Sequence, residues 1–164
     1  MANILIIDDD VPMTQMLKTH FSGAGHSVTV VHKGIEGLDA AQKTAPDLIL
    51  LDVILPDLTG YQLCTRLRQA GTTKSTPILM ITGVARNSNQ QVFGFERGAN
   101  EYIIKPLDLV QLNKTVDRYL NPDAAVNPEP KQVITPMPSV KENPSGHDFL
   151  KLRSFFRNAL HKSK

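Results

Sequence analysis

Four short apolar runs in this chain each end at a residue that can bind a phosphate group or a metal ion. The runs lie at residues 3–7, 48–51, 78–81 and 102–104, and they are followed by Asp8-Asp9-Asp10, Asp52, Thr82 and Lys105. If the runs are parallel strands of one sheet, these side chains gather at its carboxyl edge, where open α/β sheets bind their ligands. We therefore expect that edge to hold the carboxylates of Asp8, Asp9 and Asp52, one hydroxyl and one ammonium group.

Segments with helical spacing follow the strands. After the first run, apolar residues recur along one face of a helix that Asp10 can cap, Pro12 can start and Gly23 can end. Further helices are predicted at about 35–44, 88–97 and 107–120, and a further strand at 27–32. One more helix is predicted after the loop with Pro56 and Gly60, with Tyr61, Cys64 and Leu67 on one face. Because the strands are continuously apolar, both faces of the sheet should be covered. The pattern predicts a flavodoxin-like, doubly wound fold with a five-stranded parallel sheet, (βα)5.

The composition changes after residue 120. Six of the chain's 11 prolines fall within 121–146, and this stretch has few large apolar residues, so it is predicted to be an extended, disordered linker. Residues 147–164 regain a helical pattern, with apolar residues at positions 149, 152, 156 and 160 beside lysines and arginines. This segment is predicted to form a short basic amphipathic helix.

The cysteine content and the amino-terminal sequence exclude some kinds of site and predict where the protein is located. The single cysteine, Cys64, excludes an internal disulfide and a cysteine-cluster metal site. Cys64, Met13, Met16 and Met80 are expected to fill the core. The first apolar run meets acid after five residues and has no basic leader, so neither a secretory signal nor a membrane span is predicted and the protein is expected to be cytoplasmic.

The acidic edge favours phosphoryl chemistry supported by a divalent ion. Asp8, Asp9 and Asp52 would repel a bare phosphate, so they suit a cation such as Mg²⁺, which takes oxygen ligands and bridges carboxylates to phosphoryl oxygens. A carboxylate can then serve as the nucleophile. Asp52 is the best candidate because a loop with Pro56 and Gly60 follows it. Lys105 would pair with the phosphoryl group and Thr82 would donate its hydroxyl.

Four segments resemble the motifs of a response regulator receiver domain. They are ILIIDDD at 4–10, LILLDVILPDLTG at 48–60, MITG at 80–83 and EYIIKPL at 101–107. The resemblance spans roughly residues 1–120. It implies that Asp52 is the phospho-acceptor, that Asp9, Asp52 and the Ile54 carbonyl bind Mg²⁺ directly, and that Asp8 acts through a coordinated water.

The same resemblance implies a conformational switch and a phosphate-binding lysine. Thr82 and Tyr102 match the coupled switch pair, in which the hydroxyl moves toward the phosphoryl group and the ring rotates inward. Lys105 matches the phosphate-binding lysine, and the Lys105–Pro106 bond is expected to be cis. Taken singly, these residues have simpler interpretations: a strand-end turn with a helix cap for the aspartates, an ordinary strand-end Thr82, and a static, half-buried Tyr102.

Two positions depart from a typical receiver pattern. Ile54 stands two residues after the acceptor and Val84 two residues after Thr82, at positions that in receivers influence attack of water on the phosphoryl group. Neither side chain can orient a water by hydrogen bonding. We therefore hypothesise slow self-dephosphorylation.

The resemblance implies a response regulator of a two-component or phosphorelay system rather than a turnover enzyme. Its phosphoryl donor would be a histidine kinase or phosphotransfer protein, and phosphorylation would change protein contacts through a face at about 88–119. One alternative is a constitutive adaptor that the basic segment localises. A magnesium phosphatase is a third, and it is disfavoured because no substrate-binding cap is evident.

The C-terminal segment has several interpretations. Residues 147–164 could be a solvated tail, a helix that packs on the parent domain, or a docking element for a partner or an acidic surface. One short helix lacks the second helix of a helix-turn-helix module. No direct DNA binding is therefore predicted.

Overall fold

A computed structural model of the chain describes residues 1–83 and 98–121. In chain order its elements are β1 (Asn3–Ile7), α1 (Val11–Gly23), β2 (Ser27–Val31), α2 (Gly34–Thr44), β3 (Leu48–Asp52), α3 (Gly60–Gln69), β4 (Ile78–Thr82), β5 (Glu101–Ile104) and α4 (Leu109–Leu120). The strands form one parallel sheet in the order β2-β1-β3-β4-β5. This is the predicted flavodoxin-like, doubly wound topology, which is confirmed.

Alternate residues of the central strands supply two apolar cores, one on each face of the sheet. Leu5, Ile49 and Met80 belong to the core that α2 and α3 cover with Ala41, Leu63, Cys64 and Leu67. Ile6, Leu50 and Ile81 belong to the core that α1 and α4 cover with Leu17, Phe21, Leu112 and Val116. Every residue of β3 and β4 is buried. The continuous apolar runs therefore reflect burial on both faces.

Most helix ends follow local capping rules. Asp10 caps α1 by accepting a hydrogen bond from Met13 N at 3.0 Å, and α1 ends at Gly23, as predicted. Thr59 and Gln62 form a capping box at the start of α3. The last helix begins at Leu109 rather than at 107, because the Asp108 side chain accepts hydrogen bonds from the backbone N–H groups of the first turn.

Of the residues predicted to fill the core, Cys64 does so and Met16 does not. Cys64 is fully buried, as expected of core filler. Met16 is not: 42% of it is exposed, because Leu17 and Phe21 carry the buried stripe of α1 and Met16 lies to one side of it. Within residues 1–83 and 98–121, no helix is both long enough and apolar enough to cross a membrane.

Three predicted features lie outside the described residues. They are the helix at about 88–97, nearly all of the linker at 121–146, and the basic segment at 147–164. The division of the chain at 120 and 146 stays a prediction.

Candidate functional site

Two neighbouring strands bring the predicted aspartates together at the carboxyl edge of the sheet. In the pairing of β1 with β3, Ile7 lies beside Leu51, so Asp8 and Asp52 follow at adjacent positions. One oxygen from each of Asp8, Asp9 and Asp52 lies within 4.8 Å of the others. Asp8 and Asp52 are buried, whereas Asp9 is exposed. The acidic cluster expected from the strand ends is therefore present.

Lys105 reaches this cluster from the loop after β5. Its Nζ lies 3.0 Å from Asp8 Oδ2 and 3.0 Å from Asp52 Oδ1. The backbone N–H of Lys105 donates to the Thr82 carbonyl at 2.7 Å, which ties the loop to the end of β4. The Lys105–Pro106 peptide bond is cis, as expected. One lysine thus bridges two carboxylates from different strands.

Burial and neighbouring charges shift the pKa values of Asp8, Asp52 and Lys105. Burial, followed by the charge of Asp8, raises the pKa of Asp52 to about 7, although Lys105 opposes the shift. Burial likewise raises the pKa of Asp8. Burial would lower the pKa of Lys105, but the charges of Asp52 and Asp8 outweigh it and raise that pKa. A second positive charge at this edge would therefore stabilise the ionised carboxylates.

Asp8 is also fixed by groups outside the acidic cluster. Its Oδ1 accepts a hydrogen bond from Asp10 N at 2.8 Å, while its Oδ2 contacts Lys105. Its backbone carbonyl lies 2.9 Å from Nδ1 of His32, at the end of β2. Asp10 N and Lys105 thus hold the Asp8 carboxylate in one orientation, whereas His32 contacts the Asp8 backbone. This role of His32 was not predicted, although His32 ends the predicted strand at 27–32 and the carboxyl ends of parallel strands meet at this edge.

The loop after Asp52 is closed at its base. Ile54 N donates to Asp52 Oδ2 at 2.6 Å, and Gly60 N donates to the Val53 carbonyl at 2.9 Å. A Cβ at position 60 would lie 2.1 Å from the backbone oxygen of Asp52, so only glycine permits this close approach. Ile54, whose carbonyl is a predicted metal ligand, thus belongs to a tightly folded turn beside the acidic cluster.

Thr82 and Tyr102 lie on the neighbouring strands β4 and β5, of which β5 is an edge strand of the sheet. Thr82 ends β4 and is 6% exposed, whereas Tyr102 in β5 pairs with Met80 and is half-buried against the core on the α2–α3 face. The hydroxyl groups of Tyr102 and Tyr61 are hydrogen-bonded to each other, and burial followed by this bond raises the pKa of Tyr102. No spacing in the sequence connects Tyr61 with Tyr102, so this contact was not predicted.

The arrangement is chemically suited to a hard divalent cation. Three carboxylates offer oxygen ligands at a partly open edge, and in the described part of the chain Lys105 compensates two of them. Oxygen ligands of this kind favour Mg²⁺, which keeps several waters and is bound through one or two carboxylates. The residues present therefore fit a magnesium ion.

Comparisons with known proteins match this region of the chain. A family model described as "Response regulator receiver domain" matches residues 4–117. The chain is 40% identical over 112 residues to the uncharacterized transcriptional regulatory protein YkoG of Bacillus subtilis, a match that covers 68% of this chain and 47% of YkoG. It is 37% identical over 112 residues to the DNA-binding dual master transcriptional regulator RpaA of Synechocystis, covering 68% of this chain and 46% of RpaA.

A solved structure shares the fold and bears on the metal. It is the receiver domain of the sensor histidine kinase PA1611 of Pseudomonas aeruginosa, which has a magnesium ion coordinated in its active-site cleft. The match has 26% identity and a TM-score of 0.68, and it covers 73% of this chain and 98% of that structure.

The curated relatives overturn one sequence prediction. RpaA is named as DNA-binding and YkoG as a transcriptional regulatory protein, so the prediction of no direct DNA binding is wrong. That prediction rested on the 164 residues alone, in which the segment at 147–164 offers one short helix and not the two of a helix-turn-helix module. The chain, however, spans about half the length of the curated relatives it matches.

Proposed function

Because this chain belongs to the response regulator receiver family, we propose that Asp52 accepts a phosphoryl group from a histidine kinase or phosphotransfer protein. One observation carries the proposal: Lys105 lies 3.0 Å from both Asp8 and Asp52, within a cluster of three carboxylates. Proteins of this family are signalling proteins rather than turnover enzymes. The phosphoryl group is therefore the signal that the chain receives.

The proposed cofactor is Mg²⁺, held by Asp9, Asp52 and the Ile54 carbonyl, with Asp8 acting through a coordinated water. When bound, the ion would neutralise carboxylate charge and polarise a phosphoryl oxygen. The oxygen ligands, the raised pKa values of Asp8 and Asp52, and the magnesium ion in the PA1611 receiver support this assignment.

Asp52, Lys105 and Thr82 have different roles in the proposed phosphoryl transfer. An ionised oxygen of Asp52 attacks phosphorus, the bond from phosphorus to the donor histidine nitrogen breaks, and its electron pair stays on that nitrogen. Asp52 loses its own negative charge when it becomes an acyl phosphate. Lys105, which contacts Asp52 beforehand, is then available to pair with the phosphoryl oxygens. Thr82 donates its hydroxyl to one of those oxygens.

The proposed switch runs from Thr82 to Tyr102. Movement of the Thr82 side chain toward the phosphoryl group would change the space beside β4, into which the Tyr102 ring turns. Because Tyr102 lies on β5, this would alter the face that includes β5 and α4, within the region of about 88–119 proposed to contact a downstream protein.

A direct test uses the full chain with acetyl phosphate as the donor. In Mg²⁺, intact mass spectrometry should show one added phosphoryl group on the wild type and none on Asp52→Ala. Asp10→Ala is the matched control, because Asp10 belongs to the same acidic run but caps α1. This control should still be phosphorylated. Addition to Asp52→Ala, or to the wild type in EDTA, would contradict the proposal.

The same measurement followed over time tests the proposed slow self-dephosphorylation. Ile54 offers no side-chain hydrogen bond to a water, and neither does Val84, which lies outside the described residues. After removal of acetyl phosphate, the added mass should persist for many minutes. A half-life of seconds would contradict slow hydrolysis without affecting the assignment of Asp52.

Control of transcription is a second candidate output, and the names of YkoG and RpaA favour it. A mobility-shift assay with fragmented genomic DNA would compare the full chain before and after phosphorylation. A shift that requires Asp52 would support this output. Equal binding by the wild type and Asp52→Ala would count against phosphorylation-controlled DNA binding.

A further inference from the structure

Helix α2 is capped by a residue from a distant loop. Among the described residues, its own N-cap side chain, Lys33, makes no capping hydrogen bond. Instead, the first two helical N–H groups donate to one carboxylate: Gly34 N to Asp57 Oδ1 at 2.8 Å and Ile35 N to Asp57 Oδ2 at 2.9 Å. Asp57 belongs to the loop after Asp52. One side chain therefore joins that loop to a helix more than 20 residues earlier in the chain.

The hydrogen bonds from Gly34 N and Ile35 N to Asp57, called the clamp below, are reinforced by an apolar contact. Leu58, the next residue of the loop, is 9% exposed, and its backbone N–H also donates to Asp57 Oδ1 at 3.1 Å. A Cβ at Gly34 would lie only 2.6 Å from Leu58 Cγ, so the start of α2 packs directly on this leucine. Burial opposes ionisation of Asp57, but the hydrogen bonds that its carboxylate accepts from backbone N–H groups, led by those of Ile35 and Gly34, together outweigh burial and lower its pKa. The exposed carboxylate is thus charged, as a helix N-terminus favours.

The loop that follows Asp52 is held at its base and at its tip. Its base is closed by the hydrogen bonds from Ile54 N to Asp52 and from Gly60 N to Val53, and its tip is held against α2 by Asp57 and Leu58. Ile54 belongs to the base anchor through its own N–H, and it lies three residues before Asp57 at the tip. A shift of the Ile54 backbone would therefore have to break contacts at one anchor or the other.

We propose that Asp57 is a positioning residue for the metal site: it fixes the loop to α2 and so presets the Ile54 carbonyl relative to Asp52. This inference rests on the proposed function, in which Mg²⁺ binds Asp9, Asp52 and the Ile54 carbonyl. Without the clamp, the loop must be ordered when the ion binds, and this entropic cost weakens binding. Once the ion is bound, the reacting groups are the same, so the chemical step is preserved.

The experiment separates metal binding from catalysis. The wild type, Asp57→Ala and Asp57→Asn would be titrated with Mg²⁺ by calorimetry, and their rates of phosphorylation by acetyl phosphate measured across Mg²⁺ concentrations. Asp57→Ala should need roughly tenfold more Mg²⁺ for half-maximal rate, the lower end of the cost of removing an outer-shell partner. Its rate at saturating Mg²⁺ should stay within about twofold of wild type. Asp57→Asn, which keeps one acceptor oxygen, should fall between them.

Asp47→Ala is the matched control. Asp47 is also exposed, and its Oδ2 accepts a hydrogen bond from Asn3 N at 2.7 Å, joining residues 44 apart at the opposite edge of the sheet. This variant should lose a similar contact and keep the wild-type Mg²⁺ requirement. Unfolding midpoints of all variants would identify losses that are only structural.

The outcomes distinguish the two proposals. If the wild type shows no Mg²⁺-dependent phosphorylation of Asp52, the proposed function fails and the role of Asp57 falls with it. If the wild type is active but Asp57→Ala and Asp57→Asn match its Mg²⁺ requirement, only the positioning role is overturned. If Asp57→Ala does not fold, the Mg²⁺ requirement of Asp57→Asn decides. A rise shared equally by Asp47→Ala would also overturn the positioning role.

Discussion

Asp52 carries its negative charge at the buried end of a sheet, where the charge is costly. Its side chain is 7% exposed and lies in a cluster with Asp8, and its pKa is raised from 3.8 to about 7. Between those pH values, the folded state keeps a proton that the unfolded chain has released. The contribution of Asp52 to the free energy of unfolding of the metal-free protein therefore falls as pH rises through this window and is lowest above it.

Replacing Asp52 by asparagine should consequently stabilise the metal-free protein. In EDTA at pH 8, Asp52→Asn should raise the free energy of unfolding by about 2 kcal/mol or more, since one unit of pKa shift corresponds to about 1.4 kcal/mol. Near pH 5 the gain should be much smaller, because wild-type Asp52 is then mostly protonated. Urea denaturation at both pH values measures the difference.

The exposed Asp47 provides the comparison for this measurement. Asp47→Asn keeps an acceptor oxygen for Asn3 N, so it should change stability little at either pH. An Asp52→Asn variant that is no more stable than the wild type at pH 8 would show that Lys105 fully compensates the buried charge.

Which site residues could be predicted depends on how they are brought together. Asp8, Asp52, Thr82 and Lys105 end or follow strands, and parallel strands align their carboxyl ends, so the sequence pattern sufficed to place them at one edge. The partners of Asp57 come instead from α2, and no spacing rule connects position 57 with Gly34 and Ile35. Such a contact depends on tertiary packing, which a single sequence does not reveal.

At the scale of elements, the side chain that caps a helix decides where the helix begins. The sequence predicted α4 from 107, but Asp108 accepts hydrogen bonds from Val110 N and Gln111 N and the helix begins at Leu109. In α3, Thr59 accepts from Gln62 N at 3.3 Å while Gln62 Oε1 accepts from Thr59 N at 3.1 Å. Apolar periodicity located these helices, whereas polar caps set their ends.

The capping box of α3 should contribute measurably to stability. Thr59→Ala leaves the N–H of Gln62 without its side-chain partner, so it should lower the free energy of unfolding by about 1 kcal/mol. Thr19→Ala is a suitable comparison, because Thr19 is an exposed interior residue of α1 whose hydroxyl donates to the Gln15 carbonyl. That change should be nearly neutral, since alanine favours helix interiors. Equal losses in urea denaturation would argue against the capping role.

At the scale of the molecule, the amino edge of the sheet is organised around one arginine. Arg68 of α3 donates Nε to the Gly98 carbonyl at 2.8 Å and Nη2 to Asn100 Oδ1 at 2.7 Å, just before β5. Its Nη1 donates to the carbonyls of Thr73 and Thr76, just before β4. Arg68 therefore connects α3 with the approaches to two strands, at the edge opposite the acidic cluster.

Because Arg68 and the acidic cluster lie at opposite edges of the sheet, we expect a substitution of Arg68 to change stability without changing the rate of phosphorylation. Lysine has three donors on one nitrogen and cannot reproduce the planar fork of arginine, so Arg68→Lys should lower the free energy of unfolding by roughly 2 kcal/mol. Because the acidic cluster lies at the opposite edge, phosphorylation of Asp52 by acetyl phosphate should keep its wild-type rate well below the unfolding midpoint. Arg66→Lys, on an exposed position of the same helix, should alter neither quantity. A slower phosphorylation in folded Arg68→Lys would instead indicate that the two edges of the sheet are coupled through β4 and β5.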